Sequence, residues 1–370
     1  MAGDKRSRLK RWLGLGLAVL LLTVGQTAAA ADAQRDERSP KLEVHFLDVG
    51  QGDATLIMTE GHSMLIDAGN NSKGTAVWSY LKNQGIENLD YVIGTHPDAD
   101  HAGGLDVILY KFDCGRVLLP DLRKDTKTWE DVENTIKAKN YQAQAPRPGD
   151  SYQLGDAKFT VLAPQDKAYE GANDYSIALR LDYGSNRFLF VGDAEEESEN
   201  EMLEREEFLS ADVYKVSHHG SRTGTSEEFL KAVSPEYAVI SCGEDNAYGH
   251  PHAEVLNLLR SKGIKVFRTD EQGTIVATSD GEKITWNMSP DSSWKAGEAE
   301  GSQAREQARG RGKGKDAGDV YILNTNSMKV HKPSCASAKK IAGRNRKESD
   351  DSLSQLKKQG YTPCANCMKK

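Results

Sequence analysis

A four-layer α/β fold, two sheets packed face to face with helices outside, is the class this sequence predicts from three observations. Strand-like runs followed by helical runs occur twice, first over residues 41–141 and again over 158–287. Several of the apolar runs end in loops dense in His and Asp, as when a rigid scaffold carries a site on its strand ends. No internal repeat of solenoid length is present, so the two halves read as one layered body.

The first half opens with Leu42, Val44 and Phe46 alternating with Glu43, His45 and Leu47, a strand that ends in the tight turn Asp48-Val49-Gly50-Gln51-Gly52-Asp53-Ala54. Strands follow at 55–59 and 63–66, with His62 as a solvated residue of the hairpin between them. A helix fits 74–84, where Val77, Tyr80 and Leu81 share a face and Gly85 stops it. The apolar run Leu89, Tyr91, Val92, Ile93 then leads into Thr95-His96-Pro97-Asp98-Ala99-Asp100-His101-Ala102-Gly103-Gly104. Helical pattern resumes at 104–110 and at 121–141, and 146–150 closes as a loop.

The second half repeats this rhythm. Strands fit 158–162, 176–182 and 187–191, with Tyr183-Gly184-Ser185-Asn186 as the hairpin between the last two. Gly192-Asp193-Ala194 precedes an acidic amphipathic helix at 195–208. A strand at 211–216 ends in Ser217-His218-His219-Gly220-Ser221, and one at 237–241 is followed by Tyr248-Gly249-His250-Pro251-His252. A short helix at 226–233, a longer one at 253–262 and strands at 265–269, 274–278 and 283–287 complete the body.

The ends differ from the body. Residues 1–33 read as an export signal: Lys5, Arg6, Arg8, Lys10 and Arg11 precede an apolar run from Trp12 to Val24 and small-residue cleavage sites at 28–33. The competing reading, a membrane anchor, needs about 20 apolar residues, more than the run supplies. Cleavage would leave a secreted chain with no stable span. Residues 34–288 read as the layered body. Residues 289–318, almost free of apolar side chains, read as a flexible linker, and 319–370 as a small zinc-binding module. Charge is segregated: residues 301–370 carry 16 Lys+Arg against 6 Asp+Glu, leaving 32 against 49 in the rest. A basic tail on an acidic body suits a polyanion held by the tail and divalent cations held by the body.

The chemistry follows from residue type. His96, Asp98, Asp100 and His101 place two imidazoles and two carboxylates within six residues, enough to surround two cations if later loops add ligands. Asp193 is the best addition, since a carboxylate at a strand end can bridge two metals, although Asp there can also cap the helix that follows. His218, His219 and His250 occupy comparable positions, one suited to ligate and another to donate a proton to a leaving oxygen. Two such metals suit hydrolysis of phosphate esters or acyl bonds, with a metal-activated water as nucleophile. Carboxylate-rich ligation favours manganese without excluding zinc. In the tail, His331, Cys335, Cys364 and Cys367 have zinc-knuckle spacing for one structural zinc, the rival being a disulfide plus a spare thiol. Cys114 and Cys242 lie in apolar runs and read as buried small hydrophobes.

On these motifs, with Phe46 to Ala54, Leu65 to Gly69 and Phe190 to Asp193, residues 41–287 resemble the metallo-β-lactamase superfamily, and within it the hydrolase domain of the ComEC/Rec2 competence proteins. The resemblance implies an αββα fold, His96 and Asp98 at a first metal site, Asp100 and His101 at a second, and Asp193 as the bridge. It makes Asp67 the buried acid that orients the loop. It makes His219 the proton donor and His250 the last ligand, with those two roles open to exchange. The superfamily's intermediate His has no counterpart between His101 and His218, where the strand start reads Asn173-Asp174-Tyr175-Ser176. The tail resembles the zinc module of Ada-type DNA repair proteins, with His331 in place of the methyl-accepting cysteine.

The expected function is an exported metal-dependent phosphodiesterase, a nuclease acting on extracellular DNA, with Asp100, His218 and His219 as its catalytic residues. The alternatives are hydrolysis of another ester, such as a cell-wall phosphodiester or a β-lactam, and a DNA-binding protein whose work lies in the tail.

Overall fold

The computed structural model describes residues 41–205, 209–297, 321–332, 335–349, 356–357, 361–364 and 367–368. The expected export signal, the linker beyond residue 297 and the end of the acidic helix lie outside the described residues. Two compact units are present, one reaching residue 302 and one from 303 onward.

In the larger unit, strands β1 (Leu42–Phe46), β2 (Thr55–Thr59) and β3 (His62–Ile66) form an antiparallel meander. Helix α1 (Gly74–Asn83) then crosses over to β4 (Asn88–Ile93), which pairs with β3 in parallel. The short helices α2 (Ala99–Ala102) and α3 (Leu105–Lys111) lead to β5 (Asp113–Leu118), and α4 (Lys127–Ala138) to β6 (Ala143–Gln144), both joined in parallel. Thr126 caps α4, its hydroxyl accepting the Trp129 amide. The chain next enters a second sheet through β7 (Ser151–Leu154), β8 (Ala157–Ala163), β9 (Ala178–Tyr183) and β10 (Asn186–Phe190), all antiparallel.

After β10 the topology switches to parallel. Helix α5 (Glu196–Glu204) leads to β11 (Val213–Lys215), α6 (Glu227–Val233) to β12 (Tyr237–Ile240), and α7 (Ala253–Ser261) to β13 (Lys265–Arg268). One more short helix, α8 (Thr269–Gln272), returns the chain to the first sheet as β14 (Ile275–Ser279) and β15 (Ile284–Trp286). The sheets are eight-stranded, β15-β14-β1-β2-β3-β4-β5-β6, and seven-stranded, β13-β12-β11-β10-β9-β8-β7.

Period-two alternation explains the layering. In β4, Tyr91 and Ile93 point between the sheets, while Val92 points outward beneath α1, α3 and α4. In β10, Phe188 and Phe190 face inward and Leu189 packs beneath α5, α6 and α7. Both faces of these strands are therefore buried, which is why their sequences read as continuous apolar runs. This is the four-layer αββα arrangement expected from the sequence.

Two local readings change. Strand β5 was not evident because Cys114-Gly115-Arg116 breaks its apolar pattern, yet the strand is paired along β4. The segment Ser289–Gly297, expected as the start of a flexible linker, is bound to the body. The Asp291 amide donates to Val266 O, the Gly297 amide donates to Pro251 O, the buried Arg268 guanidinium donates to Lys295 O, and Trp294 packs on the core under α7. A buried guanidinium needs acceptors, and this segment supplies one.

The smaller unit holds a four-stranded sheet ordered β18-β16-β17-β19, from β16 (Tyr321–Asn324), β17 (Lys329–His331), β18 (Arg346–Ser349) and β19 (Thr362–Pro363). Ile322, Cys335, Ala338 and Cys364 cluster together beside it.

Close backbone approach at Gly104 lets α3 start directly over the first sheet. A Cβ there would lie 2.3 Å from Ala68 O and 2.8 Å from Gly74 Cα. Gly104→Ala should therefore lower stability by about 1–3 kcal/mol through overpacking, read as a shift of the urea midpoint. An unchanged midpoint would contradict this packing.

Candidate metal centre

The candidate ligands gather at the C-terminal ends of β3, β4, β10, β11 and the loops after β12, where open α/β sheets place their sites. At the end of β3, Asp67 adopts φ +57 and is buried. Its carboxylate accepts the Thr95 amide at 2.8 Å, the Thr95 hydroxyl at 2.7 Å and His101 Nδ1 at 2.8 Å. At the end of β11, His218 and His219 adopt φ +47 and +56, a costly backbone for residues other than glycine that turns both rings toward the same point.

That point is the Asp193 carboxylate. His101 Nε2 lies 3.1 Å from Asp193 Oδ1, while the Nε2 atoms of His219, His218 and His96 lie 3.4, 3.7 and 3.9 Å from Oδ2. Asp100 Oδ2 is 3.3 Å from His219 Nε2. The proton positions follow from what each Nδ1 meets. His219 Nδ1 faces the Ser241 carbonyl at 2.9 Å and must donate to it. His101 Nδ1 donates to Asp67, and His218 Nδ1 lies between the Thr223 hydroxyl at 2.9 Å and Glu195 Oε1 at 3.1 Å, a carboxylate that can only accept. The Thr95 hydroxyl proton is committed to Asp67, so His96 Nδ1, 3.1 Å away, donates to the oxygen of that hydroxyl. In their neutral forms all four rings thus present Nε2 lone pairs inward.

Such a constellation is incomplete without a cation. His101 Nε2 and His219 Nε2 stand 3.2 Å apart, a separation that needs a proton or a metal ion between them. His96 Nε2 and Asp193 Oδ1 are buried without a hydrogen-bond partner, as is Asp53 Oδ1. Burial lowers His96 to about 4. Burial also opposes charge on His101 and His219, but Asp193 with Asp67 lifts the first well above its ordinary value, and Asp193 with Asp100 lifts the second to about 10. Burial works to raise Asp193 and Asp100 as well, yet the neighbouring imidazoles hold both carboxyls well below the usual range. The residues therefore fit a divalent cation, which would neutralise the same field.

Asp53, His101, Asp193 and His219 each offer an atom within 4.8 Å of the others. The sequence reading had left Asp53 in a turn. Its partner is Lys215, whose buried Nζ sits 2.9 Å from Asp53 Oδ2. Burial works against charge on Asp53, but the Lys215 ammonium holds its carboxyl below the usual range, and removing either partner would leave an unpaired buried charge at a cost of roughly 3–5 kcal/mol. A carboxylate in a Gly-rich strand-end loop was the available signal; the Lys215 contact, 162 residues away, was not.

Two expected ligands stand apart from the group. Asp98 turns its carboxylate to Lys124 Nζ, an ammonium supplied by the loop before α4. His250 stacks beside His219 with ring centroids 6.1 Å apart, and burial together with the His219 and His218 charges lowers it to about 3. Of the two residues whose roles were open to exchange, His219 lies in the group around Asp193 and His250 lies behind it. His62 is half exposed, as expected of a solvated residue, and its ring meets Asp90, while burial raises the Cys114 and Cys242 thiols.

In the small unit His331, Cys335, Cys364 and Cys367 converge within 4.8 Å, and none is disulfide-bonded. Cys335 Sγ lies 3.5 Å from His331 Nδ1, close to the roughly 3.6 Å between corners of a tetrahedral zinc site. The Lys332 amide donates to Cys367 Sγ at 3.4 Å, and hydrogen bonds from His331 and Cys367 bring the Cys335 thiol down to about 6, favouring the thiolate a metal needs.

Asp67 touches no other member of the cluster except through His101 and Thr95. Asp67→Asn should weaken manganese or zinc binding about 10–100-fold by releasing the His101 tautomer, measured by titration calorimetry. Wild-type affinity in that variant would contradict the orienting role.

Residues 47–244 match the metallo-beta-lactamase superfamily. The chain is 33% identical over 251 residues to ComE operon protein 3 of Bacillus subtilis, covering 63% of this chain and 32% of that protein. It is 33% identical over 241 residues to Recombination protein 2 of Haemophilus influenzae, covering 64% and 29% respectively. It thus spans less than a third of the length of these curated relatives. Among solved structures, the metallo-beta-lactamase fold protein YhfI from Bacillus subtilis superposes with a TM-score of 0.43 at 15% identity, covering 65% of this chain and 100% of that one. A match over that span of the αββα body places the chain in the metallo-beta-lactamase superfamily.

Proposed function

We propose that the chain is an exported metal-dependent phosphodiesterase, a nuclease that degrades extracellular DNA. The observation that carries this reading is the set of four Nε2 atoms around Asp193 with Asp100 and Asp53 alongside, a carboxylate-rich set suited to manganese or zinc. Divalent cations bound there would supply charge neutralisation at a phosphoryl oxygen and an activated water. The name of one relative, Recombination protein 2, supports DNA over a β-lactam as the substrate.

His96, Asp100, His101, Asp193 and His219 would hold the metals. His218 is the ring best placed to move a proton. It is partly exposed, while His219 is buried, and Glu195 backs its Nδ1 at 3.1 Å. A proton on His218 Nε2 can pass to the leaving oxygen while Glu195 stabilises the charged ring. The tail, with its soft ligands for one zinc and its excess of Lys and Arg, would hold the polyanion and leave chemistry to the body. The charged and apolar stretches of residues 1–33 support export. Among the described residues no helix is long and apolar enough to cross a membrane.

His96→Ala or Asp100→Ala should abolish plasmid nicking in manganese or zinc while the circular dichroism spectrum stays unchanged; nicking at the wild-type rate would rule out the site. His218→Gln should lower kcat by about 100-fold or more with metal content unchanged by elemental analysis. A full-rate His218→Gln enzyme would move the acid elsewhere. Deleting residues 301–370 should raise KM for DNA and leave hydrolysis of a small phosphodiester intact. Loss of both activities would place the function in the tail.

A further inference from the structure

Three large hydrophobic side chains are exposed among the described residues: Tyr110, Tyr248 and Met328. Tyr110 lies beneath the ammonium groups of Lys111 and Lys139. Tyr248 is different. It is 62% exposed, yet one face of its ring stacks on His250, with centroids 5.5 Å apart and planes 18° from parallel. His250 in turn stacks on His219, 6.1 Å away at 29°. Three nearly parallel rings therefore run outward from the metal centre, and the last offers its free face to solvent.

The loop that carries Tyr248 is braced. Asn246 donates from Nδ2 to Gly243 O at 2.9 Å and to His250 O at 2.7 Å, and its Oδ1 accepts the amides of Tyr248 and His250 at 3.2 and 2.9 Å. Gln51 Oε1 accepts the Gly243 amide at 3.2 Å, and a Cβ at Gly243 would lie 2.5 Å from Gln51 N. An aromatic face held in place at low entropic cost beside a phosphodiester site is a stacking surface for a flat ring, and every nucleobase has one. In a duplex the bases are already stacked on one another, so the ring reads an unpaired strand.

We infer that Tyr248 is the platform on which a base flanking the scissile phosphate stacks, so that the preferred substrate is single-stranded or locally unpaired nucleic acid. The inference rests on the phosphodiesterase reading above and adds the substrate class to it. Cleavage of a tetrathymidylate and of its abasic tetrahydrofuran counterpart, in manganese, by the full-length wild type, Tyr248→Ala and Tyr248→Phe tests it. Tyr248→Ala should lose roughly tenfold or more in kcat/KM on the base-bearing chain, mainly through KM, and Tyr248→Phe should stay within about twofold. On the abasic chain all three proteins should be equal. An active wild type matched by Tyr248→Ala on the base-bearing chain overturns the platform alone. An equal loss on both chains also overturns it, making Tyr248 a prop for His250. A wild type inactive on both chains overturns the phosphodiesterase reading and the platform with it.

Discussion

One buried carboxylate organises this molecule. Asp193 draws four imidazoles, from the loops after β4 and β11, to within 3.9 Å of its two oxygens. With the Nδ1 protons of His101 and His219 committed to Asp67 and Ser241 O, their neutral rings turn Nε2 lone pairs toward a carboxylate that has no proton to give, and those two Nε2 atoms face each other at 3.2 Å. The constraint becomes intelligible as a ligand shell. The fold accepts left-handed backbone at Asp67, His218 and His219, and the close approach of Gly52 to Asp100 O, in order to build it.

Behind the shell lies a second tier that decides which nitrogen of each ring looks inward. Asp67 does this for two rings, His101 directly and His96 through the Thr95 hydroxyl, while Ser241 O does it for His219 and Glu195 for His218. Because these acceptors sit on both sheets, the site forms only when the sandwich closes. The Asp53–Lys215 ion pair makes the same connection, joining the β1–β2 loop to β11.

Much of this was legible in the sequence, for a physical reason. Strands buried on both faces write themselves as apolar runs, and the residues just beyond such runs, His96, Asp193 and His219, are the ones the fold brings together. What the sequence did not disclose depended on contacts between distant residues. Asp53 read as a turn residue until Lys215 was beside it, and the Lys124 ammonium beside Asp98, expected as a ligand, was equally out of sight. Which of His219 and His250 lies nearer Asp193 was a matter of loop geometry, set by positive φ at His219 and by the Asn246 brace behind His250. The polar composition of Ser289–Gly297 hid its role as a partner of Arg268.

The most direct test of the central claim is anomalous diffraction from crystals soaked in manganese. The account predicts a peak bonded to His101 Nε2, His219 Nε2 and Asp193, with His96 Nε2 turned toward it. No anomalous peak between those rings, with His101 and Asp193 left as a simple ion pair, would contradict it.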